Sequence, residues 1–160
     1  MPKPTDRDRL LVDAAQRGDT ALVEELLKEG ADPNTTSGGA SPLVFAAEEG
    51  HIDIVRLLLQ AGANINEGDN GNITPLICAS TRGYAPIVRL LLDAGADTTR
   101  MNWNLAGGRI EGTALGQTLE RERRLQAQVL TTDNPALLQE QQRNYAEVVK
   151  MLQQADDPEA

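Results

Sequence analysis

SPLVFAAEEGHIDIVRLLLQAGANIN, Ser41 to Asn66, returns 33 positions later as TPLICASTRGYAPIVRLLLDAGADTT, Thr74 to Thr99. A further copy lies 32 positions earlier, Arg9 to Asn34, where Leu11, Ala14, Ala15, Gly18, Val23, Leu26, Leu27, Gly30 and Ala31 fall on the same template positions. Three copies of a helix, a turn and a second helix predict an all-α solenoid. In such an array no unit buries its own apolar face, and the core is built by stacking neighbours.

Each recurring residue has a structural task. Ser41 and Thr74 can cap a helix whose first position is Pro42 or Pro75, where the missing N–H costs nothing. Gly50 and Gly83 end that first helix. Ile54, Val55, Leu58 and Leu59 draw one apolar stripe along the second helix. Gly62 and Gly95 then supply a left-handed residue after its end.

These residues resemble the ankyrin repeats, whose pattern reads roughly TPLHxAAxxGHxxIVxLLLxxGAxxx. The likeness rests on Ser41-Pro42-Leu43 and Thr74-Pro75-Leu76, Gly50-His51 and Gly83-Tyr84, Ile54-Val55 and Ile87-Val88, and Gly62-Ala63 and Gly95-Ala96. It covers Arg9 to Thr99 well and the last third loosely. Val44 and Ile77 stand where the family has His, so the hydrogen bonds of that His are absent or replaced.

The chain of 160 residues is read as one domain, an ankyrin-like solenoid of four units at about 6–38, 39–71, 72–104 and 112–155, with an acidic, disordered tail over 156–160. With one Phe, one Trp and two Tyr, the core must be aliphatic. A formal charge of −9 disfavours nucleic acid and anionic membrane, which need a basic face, and suits a basic or neutral protein partner. The single Cys78 excludes an intrachain disulfide and fits a reducing compartment. No apolar run approaches a membrane span, and Met1 to Leu10 has no signal-peptide core, so a cytoplasmic protein is expected.

Helices are predicted over 6–17, 20–28, 42–49, 52–61, 75–82 and 85–94. The first unit reads as a cap, with Glu25 where Leu57 and Leu90 stand and Leu10 in the Pro position. The links 32–40 and 64–73 are turn-rich, most strongly at Asp69-Asn70-Gly71. After Thr99 the pattern breaks twice. The link Arg100 to Gly112 carries six extra residues and an apolar set, Met101, Trp103, Leu105 and Ile110. The last unit starts at Thr113-Ala114-Leu115 and resumes at Tyr145, Val148, Val149, Met151 and Leu152, with Glu122 to Arg143 inserted between. A tight turn at Thr131 to Asn134, capped by Asp133 or Asn134 with Pro135 first in the helix, would make the insertion a projecting hairpin of two helices, each about nine residues longer than usual. Leu115, Leu119, Val148, Val149 and Leu152 supply that unit's stacking layer.

Catalysis has little to draw on. His51 is the only histidine and Cys78 the only cysteine, on different units, so neither a metal cluster nor a Cys–His dyad has enough members. Phosphate-binding and nucleophile-elbow motifs are absent. His51 reads as a turn and capping residue, Cys78 as a small buried filler, and Glu48-Glu49 as a solvated helix end. Arg121, Arg123, Arg124 and Arg143 should pair with Glu120, Glu122 and Glu140; a docking patch for an acidic partner is the alternative. No catalytic, cofactor or metal site is expected.

The resemblance implies a protein-binding module used through its concave face, made by link tips and the exposed side of each first helix. Carried over by position, one column is Asp13, Phe45, Cys78 and Gln117. The next is Gln16/Arg17, Glu48/Glu49, Thr81/Arg82 and Glu120/Arg121. Thr36, Asn70 and Trp103, with Met101 beside it, belong to the tips. Phe45 can serve as contact or core, and Trp103 as a binding hot spot or as packing against the last unit. A monomer is expected ahead of a homodimer joined through the hairpin. An inhibitor or chaperone-like regulator of one enzyme is a further alternative.

Overall fold

The computed structural model describes residues 5–100, 102–104, 109–129 and 135–157. Eight helices run through them: α1 Asp6–Arg17, α2 Thr20–Lys28, α3 Pro42–Glu49, α4 Ile52–Gln60, α5 Pro75–Arg82, α6 Ala85–Asp93, α7 Ala114–Val129 and α8 Pro135–Asp156. The six helices read from the repeat fall in place, with Ala61 and Ala94 serving as C-caps instead of last turns. Odd-numbered helices stack in one row, α1 on α3 on α5 on α7, and even-numbered helices in a second. The core is the layer between the rows.

Local chemistry sets the helix ends. The hydroxyls of Ser41 and Thr74 accept from the N–H groups of Val44 and Ile77 at 3.4 and 3.3 Å. Thr5 and Asp8 form a reciprocal capping box on α1. Leu43, Ile54, Val55, Leu58, Leu76, Val88 and Leu91 are fully buried, or within 1% of it, which makes the core aliphatic as composition required. Leu59 of the apolar stripe is only half-buried. Val44 and Ile77 are buried apolar side chains, so this chain fills the family His position by packing and needs no partner there.

Adjacent units are also stitched by side chains in the links. The Asn34 carboxamide donates to the Gly62 carbonyl at 3.2 Å and accepts from the Asn64 N–H at 2.6 Å. One unit later the Asn66 carboxamide accepts from the Asp97 N–H at 2.8 Å. Thr99 takes the next place in this column, and its N–H and hydroxyl both turn back to Asp97. Among the described residues the Asn ladder ends there.

Several expectations are corrected. The long link holds a strand pair that the repeat pattern does not predict: β1 Asn102–Asn104 pairs antiparallel with β2 Arg109–Gly112, with a bulge between Asn102 and Trp103. The lengthening of the last unit is unequal, α7 having 16 residues against 8 in α5, and α8 having 22 against 9 in α6. Asp156, assigned to the tail, belongs to α8. Leu119 is 41% exposed, because it holds the position of Ala47 and Ser80, which are buried by the following unit's first helix. The Thr131–Asn134 turn, Met101, Leu105 and positions 158–160 lie outside the described residues.

Candidate functional site

The first-helix row and the links frame a depression of about 290 Å³. Phe45 and Glu48 come from α3, and Cys78, Thr81 and Arg82 from α5, three and four residues apart and therefore on one side of each helix. Gly39 and Asn70 from the two links, with Asp69 and Ile73, close one wall, and Gln117 of α7 reaches in from the last unit. The links hold each other. The Asn70 N–H donates to the Gly39 carbonyl at 3.2 Å, and Asp69 Oδ1 accepts from the N–H groups of Gly71 and Ile73 at 2.8 and 2.9 Å.

An apolar floor with a charged rim results. Arg82 and Glu48 pair across neighbouring units at 2.7 Å, each with two-fifths or so of its side chain in solvent. Such a pair contributes less than about 1 kcal/mol to stability. It still fixes both charges at the rim, so Glu48 is not the freely solvated helix end expected of it. The Thr81 hydroxyl donates to the Ile77 carbonyl at 2.8 Å, within its own helix. Burial pushes the Cys78 thiol up to about 12, helped by the negative charges of Glu48 and Asp69 and opposed by Arg82. A thiol held protonated at neutral pH is no nucleophile.

Of the residues singled out from the sequence, Phe45, Glu48, Asn70, Thr81 and Arg82 line this one depression, together with Cys78 and Gln117. Asp13, Arg17, Thr36 and Glu49 are exposed and stand outside it, Arg17 donating to the carbonyl of Asp13 on its own helix. Arg121 lines a second depression, which Arg82 also borders. Trp103 lies in β1, and its side chain, like all of Met101, is outside the described residues. Asp69 and Ile73 were not singled out as site residues. The turn signal at Asp69-Asn70-Gly71 marked their segment, but not that it folds against the preceding link.

Two further expectations change. His51 occupies the N-cap of α4 without a side-chain capping bond. Its ring instead covers Gly18 of the preceding unit, with Nε2 at 3.3 Å from the Gln16 carbonyl. Of the arginines on the inserted helices, Arg124 pairs with Glu120 at 3.1 Å, whereas Arg121, Arg123 and Arg143 form no ion pair with the described residues. Among the described residues no group of three His, Cys, Asp or Glu is placed to hold a metal ion. None of the described helices is long and apolar enough to cross a membrane.

A sequence model of the ankyrin repeats, in three copies, matches residues 11–102, more than half of the chain. The chain belongs to the ankyrin-repeat family. Ankyrin segments of larger proteins are similar to it. The 2-5A-dependent ribonuclease of Mus musculus is 44% identical over 59 residues, 36% of this chain and 8% of that protein. The ankyrin repeat and KH domain-containing protein mask-1 of Caenorhabditis elegans is 41% identical over 64 residues, 39% of this chain and 2% of that protein. The histone-lysine N-methyltransferase EHMT1 of Homo sapiens is 45% identical over 56 residues, 33% of this chain and 4% of that protein. The aligned stretch is thus a small fraction of each relative's length. Ankyrin repeats are generally protein-interaction modules, and catalytic names among the relatives belong to proteins many times longer than the shared segment.

Proposed function

We propose that this ankyrin-repeat chain is a non-enzymatic module that holds a protein partner across the concave face formed by its first helices and link tips. The supporting observation is the depression in which Phe45, Glu48, Asn70, Thr81 and Arg82 converge, apolar at its floor and charged at its rim. That composition matches the apolar centre and polar border of protein interfaces. Asp13, Arg17, Thr36 and Glu49 extend the surface towards the N-terminal unit and Arg121 towards the last; by the sequence pattern Met101 and Trp103 belong to its tips. The net charge of −9 favours a basic or neutral partner. The chain acts as a cytoplasmic monomer and uses no metal or cofactor.

The test compares wild type with a Glu49→Arg, Asn70→Arg double variant, both positions being exposed. Proteins captured from the native source are quantified by mass spectrometry after the two baits are shown to melt at the same temperature. A partner retained by wild type and lost by the variant is the expected result. The same set of proteins on both baits would overturn the concave-face reading.

A further inference from the structure

A second depression of about 170 Å³ opens where the end of α5 meets the inserted turns of α7 and α8, and Arg82, Arg121, Leu125, Gln141, Asn144 and Tyr145 line it. Leu125 and Tyr145 are more than nine-tenths buried and form its floor. The Tyr145 hydroxyl is engaged, donating to the Thr81 carbonyl at 2.6 Å. Arg82 gives one guanidinium nitrogen to Glu48. Arg121, Gln141 and Asn144 are exposed, and their side chains make no hydrogen bond or ion pair with the described residues. Among the described residues no carboxylate lines the slot, in a chain with 24 acidic against 15 basic residues.

Two guanidinium groups and two carboxamides with free N–H donors around an apolar floor are complementary to a planar, acceptor-only group. A carboxylate is such a group; it can take parallel hydrogen bonds from one guanidinium and still accept from neighbouring amides. Arg82 lines both this slot and the larger depression, so a segment crossing the concave face meets the slot next. We propose that the slot is a carboxylate-reading subsite that receives an Asp or Glu side chain of an extended partner segment. Arg121 pairs with the carboxylate, and Gln141 and Asn144 donate to it. The inference rests on the concave-face reading and adds a local demand to it. A partner that is basic or neutral as a whole must present one acidic residue at the end of its bound segment, which discriminates among basic sequences. Leu125 and Gln141 belong to the insertion, so a unit of ordinary length has no such slot.

The experiment is an NMR titration of the full chain with the acetylated, amidated peptide Leu-Glu-Leu-Glu-Leu, with Gln and Lys versions as controls. Saturable shifts of the Arg121 Nε–H and of the Gln141 and Asn144 side-chain amides, seen with the Glu peptide and not with the controls, are expected. Arg121→Ala should weaken that binding about fivefold or more, Arg121→Lys should fall between, and Arg123→Ala should leave it unchanged. Equal binding of the Gln peptide, equal damage from Arg123→Ala, or slot shifts caused by inorganic phosphate but not by the Glu peptide would overturn the proposal. The Glu49→Arg, Asn70→Arg variant must keep the slot shifts. Loss of partner capture by that variant concerns the concave face alone, so the two readings fail separately.

Discussion

The hydroxyl of Tyr145 donates to the carbonyl oxygen of Thr81 at 2.6 Å while its ring covers Gly83, where an added Cβ would lie 3.3 Å from the ring. Tyr84 covers Gly50 and His51 covers Gly18 in the same manner, one and two units earlier. Tyr145 therefore resumes a column of rings on glycines after the 22 inserted residues Glu122 to Arg143. Removing its hydroxyl as Tyr145→Phe leaves the ring in place and should cost about 1 kcal/mol. Tyr145→Ala also removes the ring and should cost about 3 kcal/mol or more. Urea unfolding measures both; equal losses would show that the ring contributes nothing.

The glycine beneath each ring differs from the glycine at the end of each second helix. Gly50 and Gly62 both have φ near +85°, but a Cβ at Gly50 would come within 2.9 Å of Tyr84 whereas a Cβ at Gly62 would meet nothing within 4 Å. Gly62→Ala should therefore carry only the backbone cost, about 1 kcal/mol, and Gly62→Val more. Gly50→Ala adds displacement of the Tyr84 ring and should lower the melting temperature further than Gly62→Ala. Indistinguishable melting curves for the two alanine variants would contradict the stacked ring.

Cys78 predicts a defined alkaline sensitivity. Its folded value lies near 12, above the ordinary thiol value of 9.0, so folding favours the protonated form. The associated stability is complete below pH 9 and is lost as pH rises towards 12, by up to about 4 kcal/mol at 1.36 kcal/mol per unit. Unfolding at stepped pH should thus show wild type losing stability relative to Cys78→Ala across that window. At pH 8 iodoacetamide should react with the native protein far more slowly than with the urea-unfolded chain; equal rates would place the thiol outside the core.

The inserted helical turns should be dispensable to the fold. Arg121 and Tyr145 hold the places of Arg82 and Tyr84, which are joined through Gly83 alone, so deleting Glu122 to Arg143 and changing Asn144→Gly restores the shorter connection. The buried layer of Ala114, Thr118, Val148 and Leu152 is untouched. Circular dichroism should show a cooperative transition with less helix. Loss of the transition would assign the insertion to the core.

Trp103 reports on the third link. As a partner-contact residue it should emit at long wavelength and be quenched by iodide in the free protein, then shift to the blue on complex formation. Truncating an interface tryptophan commonly costs about 2 kcal/mol or more of binding. A blue, unquenchable emission from the free monomer would instead assign Trp103 to packing.

The sequence alone determined what depends on near neighbours along the chain. Ser41-Pro42 and Thr74-Pro75 start helices because a hydroxyl cap and a proline at the first position act within one turn, and the 33-residue period follows from how those pieces recur. Phe45, Glu48, Thr81 and Arg82 of the main depression were named by carrying the ankyrin pattern over from one first helix to the next, and Asn70 by its place at a link tip. Tertiary structure decided whatever depends on two units meeting. His51 turns from capping to covering Gly18 because the preceding unit brings the open face of that glycine beneath its ring. Leu119 is exposed, although its helix pattern marks it as core, because burial at that position comes from the next unit's first helix. Arg82 finds Glu48, 34 residues away, and joins Arg121 around a slot to which no described carboxylate contributes, a meeting of charges that only the stacking of units produces.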